Sequence, residues 1–247
     1  MRSFHNLSSV PEMNGPIAIA VGFFDGVHLG HRALIAEMKK KGRVFLVAFS
    51  NQPKSVLASE KTIPCITTNR HKALLLSEMG VDDYLTLPFT QEIAKMPYNL
   101  FLEELHSATL FTDIFFGEND AIGNEKKGTP EKIHELGKQI GFTAHYIPKL
   151  TADGAAISSS RVREALAAGD LHLALKFLGR PFSAELDPSD PYIEPGLLKQ
   201  GRYLISPASN SSEQFDINLS ANGEIQFIGK KPQTARSEYY LFNSGDR

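Results

Sequence analysis

Two clusters of residues in this 247-residue chain carry the groups that phosphate chemistry needs. The first is Gly22-Phe23-Phe24-Asp25-Gly26-Val27-His28-Leu29-Gly30-His31, which follows the apolar run Ile17-Ala18-Ile19-Ala20-Val21 and precedes the helix-like stretch from Arg32 to Met38. An apolar run of strand length, a glycine-punctuated turn and helical periodicity predict a strand that passes into a helix through a loop. Glycines let the backbone approach a phosphate closely, and the unpaired N–H groups and positive dipole end of a helix start attract its charge. His28 and His31 lie near that helix start, where both imidazoles can face one phosphate chain. They are the candidate catalytic pair, and Gly22, Phe23, Phe24, Asp25, Gly26 and Gly30 are candidates for nucleotide contact. The turn matches neither the dinucleotide fingerprint nor the P-loop, which needs a Lys before Ser or Thr. Asp25 has two equal readings: it orients the turn or a histidine, or it caps its own turn.

The second cluster is Ile157-Ser158-Ser159-Ser160-Arg161-Val162-Arg163, with hydroxyls immediately before a helix and arginines two apart. Serines at a helix start cap it, and the same hydroxyls and N–H groups can instead hold phosphate oxygens. Arginine adds a fixed fork of donors that stays charged at physiological pH. Alone, the stretch reads as a well-capped helix. Beside the histidine motif it reads as a second phosphate clamp.

The elements that must position these clusters alternate between strand and helix. Arg43–Phe49 is a continuous β-branched and aromatic run and predicts a buried strand, with Ser50-Asn51-Gln52-Pro53 as turn chemistry at its exit. A helix capped by a Thr or Asn near residue 68 and ended by Gly80 follows, then a strand near 81–88 and an amphipathic helix near 99–105. A strand at 113–117 leads into the polar loop 118–128, which reads equally as a binding loop or as plain surface. Thr129-Pro130 starts a helix that runs toward Gly141, and 142–148 supplies a further strand. This alternation predicts an α/β, Rossmann-like domain: a mostly parallel sheet, helices on both faces and strand-end loops along one edge. Residues 183–247 differ, with Pro188, Pro191, Pro195 and Gly196 followed by short alternating runs at 202–205, 215–219 and 224–228, and predict a small antiparallel β module.

Composition narrows the function classes. Hydrophobic residues make up 42% of the chain, enough for a sizeable core, and the formal net charge of -2 gives no basic footprint for nucleic acid. Cys65, the single cysteine, allows no internal disulfide, the start of the chain has no signal-peptide pattern, and no apolar run approaches the roughly 18 residues that span a bilayer. The expected setting is cytoplasmic, with neither nucleic acid nor membrane as partner.

His-x-Gly-His after a first strand resembles the nucleotidyltransferase superfamily that includes class I aminoacyl-tRNA synthetases. Together the two clusters resemble the bacterial bifunctional riboflavin kinase/FAD synthetase family. Gly22 to His31 is similar to its first adenylyltransferase motif and Ile157 to Arg163 to its Ser-Ser-Thr/Ser-Arg motif. The similarity continues through Gly169-Asp170-Leu171 and Leu178-Gly179-Arg180-Pro181-Phe182, and so covers a nucleotidyltransferase domain at 1–182. The resemblance implies an FMN adenylyltransferase that moves AMP from ATP to the phosphate of FMN, giving FAD and pyrophosphate, normally with Mg²⁺. It further implies that His28 and His31 contact the ATP phosphates, and that Ser158, Ser159, Ser160, Arg161 and Arg163 hold nucleotide and leaving pyrophosphate. Phosphoryl-type transfer needs positioning and charge stabilisation more than a protein nucleophile, so neither a catalytic cysteine nor a Ser-His-Asp set is required.

The sequence departs from that family in three places. The Pro-His-Pro after the second strand is here Asn51-Gln52-Pro53, and the loop Gly-x-Asp-Phe-x-Phe-Gly is here Gly117-Glu118-Asn119-Asp120-Ala121-Ile122-Gly123, without either aromatic. Asn51, Gln52, Asn119 and Asn124 are then the expected flavin-side contacts. Residues 183–247 resemble pieces of the family's riboflavin kinase barrel but lack its Gly-rich opening and its Pro-Thr-Ala-Asn motif, which predicts a remnant without kinase activity. That remnant covers the first domain, mediates a homodimer, or persists as a packing partner. Two alternatives remain for the whole: transfer to a different phosphorylated acceptor, and a nucleotide- or flavin-binding protein without turnover.

Overall fold

A parallel sheet grows from the apolar runs. The structure, a computed structural model, describes residues 1–57, 63–232 and 238–244. Its first part contains β1 (Arg2–Phe4), β2 (Ile17–Gly22), α1 (Leu29–Met38), β3 (Arg43–Phe49), α2 (Pro53–Leu57) and α3 (Asn69–Glu78). Then come β4 (Asp83–Leu87), α4 (Gln91–Lys95), α5 (Tyr98–Thr109), β5 (Asp113–Gly117), α6 (Pro130–Ile140) and β6 (Thr143–Ile147). The six strands are ordered β1-β4-β3-β2-β5-β6, and each neighbouring pair is parallel. From β2 the chain builds outward through β3 and β4 on one side, then returns to add β5 and β6 on the other. The strand order reverses beside β2, and in open parallel sheets that switch point is where ligands bind, beyond the carboxyl ends of the strands. Ala18 is in register with Val44 of β3 and with Asp113 of β5, so β2 is central and buried on both edges.

One face of this sheet buries Ile17, Ile19, Phe45, Val47, Leu85, Ile114 and Phe116 against α5 and α6, which contribute Leu102, Leu105, Ile133 and Leu136. Gly141 closes α6 in the left-handed conformation, as the helix-stop reading required. The edge strand β1 was not legible in the sequence. It is only three residues long and pairs with β4 from Arg2↔Asp83 to Phe4↔Leu85. Asp83 is fully buried and accepts from Arg2 Nε at 2.7 Å and from Arg43 Nε. Burial works to raise the Asp83 carboxyl, but the hydrogen bonds from Arg43 and Arg2 outweigh it and hold it below the usual carboxylate range.

The later part contains the two-residue strands β7 (Thr151–Ala152) and β8 (Ala155–Ala156), then α7 (Ser159–Ala168), α8 (Leu171–Leu178) and β9 (Ser183–Leu186). It ends with β10 (Gly201–Pro207), β11 (Phe215–Leu219), β12 (Ile225–Ile228) and β13 (Glu238–Ser244). These last strands make an antiparallel sheet ordered β12-β11-β10-β13-β9. Alternation in β11 and β12 puts Phe215, Ile217, Leu219, Ile225 and Phe227 on the buried side, where they share one core with Val162, Leu166, Phe177 and Leu178 of α7 and α8. Two compact units result: Met1–Phe24 with Gly30–Ile63 and Ala73–Leu150, and Asp25–Leu29 with Pro64–Lys72 and Thr151–Arg247. The helices α7 and α8 thus group with the antiparallel sheet, and so does the middle of the Gly22–His31 turn. Among the described residues no helix is long and apolar enough to cross a membrane.

Candidate active site

The Gly22–His31 turn follows β2 directly at the strand-order reversal, and α1 begins at Leu29, so Gly30 and His31 lie in its first turn. In the first unit, Phe24 is buried with φ +51° and sets its ring edge-on to His31, centroids 5.2 Å apart. A Cβ on Gly22 would lie 3.3 Å from that same ring, a tight contact. Phe23 is half-buried beside it.

In the second unit, Asp25 is the hub, with a carboxylate only 1% exposed. Its Oδ1 accepts the Ile66 and Thr67 N–H groups at 3.0 and 3.1 Å and the Thr67 hydroxyl at 3.3 Å. Its Oδ2 accepts Arg163 Nη2 at 2.8 Å, while Arg163 Nε donates to the Pro64 carbonyl at 2.9 Å. The backbone of the turn is tied as tightly. Ser159 Oγ donates to the Asp25 carbonyl at 2.8 Å, Arg180 Nη2 donates to the Gly26 carbonyl at 2.8 Å, and the Gly26 N–H donates to Thr67 Oγ1 at 3.2 Å. Gly26 itself has φ +75° and faces Ile66, which a Cβ would approach to 3.0 Å.

His28 is buried, and that burial pushes its imidazole down to about 4, against a backbone hydrogen bond that works the other way. At neutral pH it is a neutral ring that can donate one N–H. Burial also lowers Lys72 to about 8, opposed by the negative charge of Asp25 and by Cys65. Arg163 and Lys72 are therefore the cationic groups that balance Asp25 within this unit.

The serine–arginine motif also folds as a capped helix. Ser158 is the N-cap of α7 and accepts from the Arg161 N–H, and Ser160 is exposed. Arg161 lies over the Phe177 ring at 4.4 Å and donates Nη1 to the Ala155 carbonyl at 2.8 Å, with longer bonds to Ala152 and Ala156. It thereby holds the β7–β8 hairpin against α7.

A cavity of about 620 Å³ lies in the first unit at the carboxyl edge of the sheet. Val21 and Phe49 from the ends of β2 and β3, Phe89, Met96 and Phe101 form its apolar wall, and Asn124 and Lys126 come from the loop after β5. Of the expected flavin-side residues, Asn124 lines this cavity, whereas Asn119 is an exposed residue at φ +60°. Asn51 is engaged elsewhere: its Nδ2 donates to the Phe89 carbonyl at 3.0 Å and its Oδ1 accepts the Phe89 N–H at 2.7 Å. Gln52 is buried, and its Oε1 has no hydrogen-bond partner among the described residues. The loop 118–128 is built around Tyr98. A Cβ on Gly123, which has φ +76°, would come within 2.6 Å of Tyr98 backbone, and one on Gly128 within 2.7 Å of its side chain.

Sequence reasoning missed Thr67, Arg180 and the apolar wall of the cavity. In the sequence Thr67 is one of several residues that could cap α3, and Arg180 is distinguished only by the Leu178–Phe182 similarity. Phe89, Met96 and Phe101 come from three separate stretches that share no periodicity.

A parallel sheet that reverses its strand order beside a strand running through a His-x-Gly-His turn into a helix has the architecture of a Rossmann-like nucleotide-binding domain. The chain belongs to the FAD synthetase family, whose family model matches residues 10–161. It is 32% identical over 191 residues to the bifunctional riboflavin kinase/FMN adenylyltransferase of Escherichia coli, a match that covers 74% of this chain and 60% of that protein. The protein of that name from Buchnera aphidicola is 29% identical over 227 residues, 89% of this chain and 70% of that one. The chain therefore spans about 60% of the length of the first of these relatives. A crystal structure of a macrolide-efflux protein from Streptococcus pneumoniae superposes with a TM-score of 0.81 at 20% identity, covering 98% of this chain and 97% of that one. At that identity the likeness shows a shared fold.

Proposed function

We propose that this chain is an FMN adenylyltransferase, which moves AMP from ATP to FMN. The observation that carries the reading is the His-x-Gly-His turn at the switch point of a sheet in an FAD synthetase family member. An FMN phosphate oxygen attacks the α-phosphorus of ATP, a new P–O–P bond forms, the bond to the β-phosphate oxygen breaks, and pyrophosphate leaves with its electron pair. His28, as a neutral donor, and His31 at the start of α1 stabilise the charge that develops on the transferring group. The N-terminus of α7, with Ser158, Ser159 and Ser160, and Arg161 hold the pyrophosphate.

The cavity walled by Phe49, Phe89, Met96 and Phe101 suits a flat apolar ring system, with Asn124 at hand for its polar edge. Mg²⁺ enters with ATP as part of the substrate. Asp25 is a poor metal ligand, since both its oxygens already accept hydrogen bonds inside the fold. Residues 1–182 form the nucleotidyltransferase domain in this reading, and 183–247 are a barrel remnant without riboflavin kinase activity. The missing Gly-rich opening and Pro-Thr-Ala-Asn motif support that last point.

The test is to incubate the purified chain with ATP, Mg²⁺ and either FMN or riboflavin, and to separate the flavins by chromatography. FAD from FMN, with neither FMN nor FAD from riboflavin, is the expected result. FMN formed from riboflavin would overturn the kinase-dead remnant, and no FAD from FMN would overturn the adenylyltransferase.

A further inference from the structure

Asp25 is a candidate for nucleotide contact that reads equally as orienting the turn or a histidine or as capping its own turn, and the resemblance makes Arg163 a pyrophosphate ligand, but both side chains turn into the fold and meet each other. Three residues that flank Asp25 hold positive φ angles: Phe24 at +51°, Gly26 at +75° and Val27 at +42°. For Val27 this is costly, because a β-branched side chain crowds the backbone in the left-handed region. Such a conformation persists only where surrounding groups over-determine it, and it clusters at functional sites. The groups that determine it are four donors on the Asp25 carboxylate, one on its carbonyl, one on the Gly26 carbonyl and an acceptor for the Gly26 N–H. None of them is supplied by the turn itself. His28 is the next residue but one after Gly26, so its ring direction is inherited from this backbone.

We infer that Asp25 is the positioning residue of the turn. Cross-linking the strained backbone to Thr67 and Arg163, it fixes the direction of His28 and does not touch the nucleotide. Arg163 serves as the counter-charge that keeps the Asp25 carboxylate in place, and Thr67 bridges carboxylate and backbone through one hydroxyl. This inference rests on the adenylyltransferase reading for its kinetic test and on the ligand-free chain for its structural one.

The kinetic test is a double-mutant cycle. Asp25→Asn keeps the side-chain volume but replaces one acceptor oxygen with a donor that faces Arg163. It is expected to lower kcat for FAD formation about 100-fold, with KM for FMN changed less than about three-fold. Thr67→Val, a milder change that keeps the fold, is expected to lower kcat about ten-fold. In the His28→Ala background, adding Asp25→Asn or Thr67→Val should cost almost nothing more, because the group being positioned is gone. Losses that multiply in the double variants would show that these residues act on stability or on another step, and would overturn the inference. So would wild-type kcat in Asp25→Asn. The structural test needs no turnover: the His28 ring resonances, assigned by their loss in His28→Ala, should move in Asp25→Asn in the ligand-free protein. Unmoved resonances would overturn the inference even if the chain proved to use another acceptor, whereas a wild-type chain that makes no FAD would overturn only the functional reading.

Discussion

Lowering the pH from 7.5 to 5 should destabilise this protein through two buried histidines, and His71→Gln should remove about half of the effect. His71 is 2% exposed, its Nε2 lies 3.2 Å from Ser183 Oγ, and burial followed by the nearby charge of Arg180 lowers it to about 4. His28 is lowered to about 4 as well, chiefly by burial. In the unfolded chain each titrates near 6.5, so between about pH 6.5 and 4 the unfolded state binds protons that the folded state refuses. Stability therefore rises with pH across that window and levels off above it. At pH 5 the gap between 6.5 and 5 corresponds to about 2 kcal/mol per histidine, or about 4 kcal/mol for the pair. Glutamine keeps a hydrogen bond to Ser183 but takes up no proton. His71→Gln should cost about 1 kcal/mol at pH 7.5, where it replaces a well-packed neutral ring, and be the more stable chain at pH 5. Urea unfolding at both pH values, followed by circular dichroism, measures the difference; the carboxylates titrate alike in both chains and cancel. A stability gap between wild type and variant that is the same at pH 7.5 and pH 5 would refute the burial argument.

Three further outcomes follow from the site and the sheet. His28→Ala and His31→Ala should each lower kcat about 10²–10³-fold, the usual loss of one transition-state donor, with unchanged circular dichroism; near-normal turnover in either removes that ring from the chemistry. Met96→Trp fills part of the 620 Å³ cavity and should raise KM for FMN at least ten-fold while ATP binding by calorimetry stays the same. Asp83→Asn leaves Arg2 and Arg43 without their shared buried carboxylate and should cost about 1–3 kcal/mol in urea unfolding, discounted because both arginines are more than a third exposed. Since the Asp83 carboxyl is held low, that contribution is present above about pH 4 and fades as the pH falls through its folded value.

Local pattern made the parallel sheet legible. β3 and β5 are unbroken apolar runs because both their faces are covered, and the ends of α6 announce themselves through Thr129-Pro130 and Gly141. The alternating stretches 202–205, 215–219 and 224–228 fell within β10, β11 or β12, apart from Glu224, which immediately precedes β12. What stayed hidden depends on distant partners. β1 exists because Arg2 reaches Asp83, 81 residues on, and nothing in Arg2-Ser3-Phe4 hints at that pairing. β9 and β13 pair with each other across a long separation and carry no strong alternation of their own. The two motifs could be found by residue type and spacing, yet the direction of Asp25 and Arg163 could not. Their partners are 138 residues apart, and a carboxylate beside a glycine looks the same whether it faces a ligand or the interior. The grouping of α7 and α8 with the antiparallel sheet follows from a core that no single segment displays.

The loop after β5, residues 118–128, takes its shape from its glycines. Gly123 and Gly128 both close on Tyr98, and Ile122 and Gly128 exchange both backbone hydrogen bonds, at 3.2 and 2.9 Å. The shape of the loop is thus stored in two glycines and one tyrosine, while Ala121, Ile122 and Asn124 meet the cavity. Substitutions at those three positions are expected to change the cavity lining while Gly123, Gly128 and Tyr98 keep the loop in place. In the family pattern that this loop resembles, the two aromatics stand at the positions of Asp120 and Ile122, and of these two Ile122 is the one that meets the cavity.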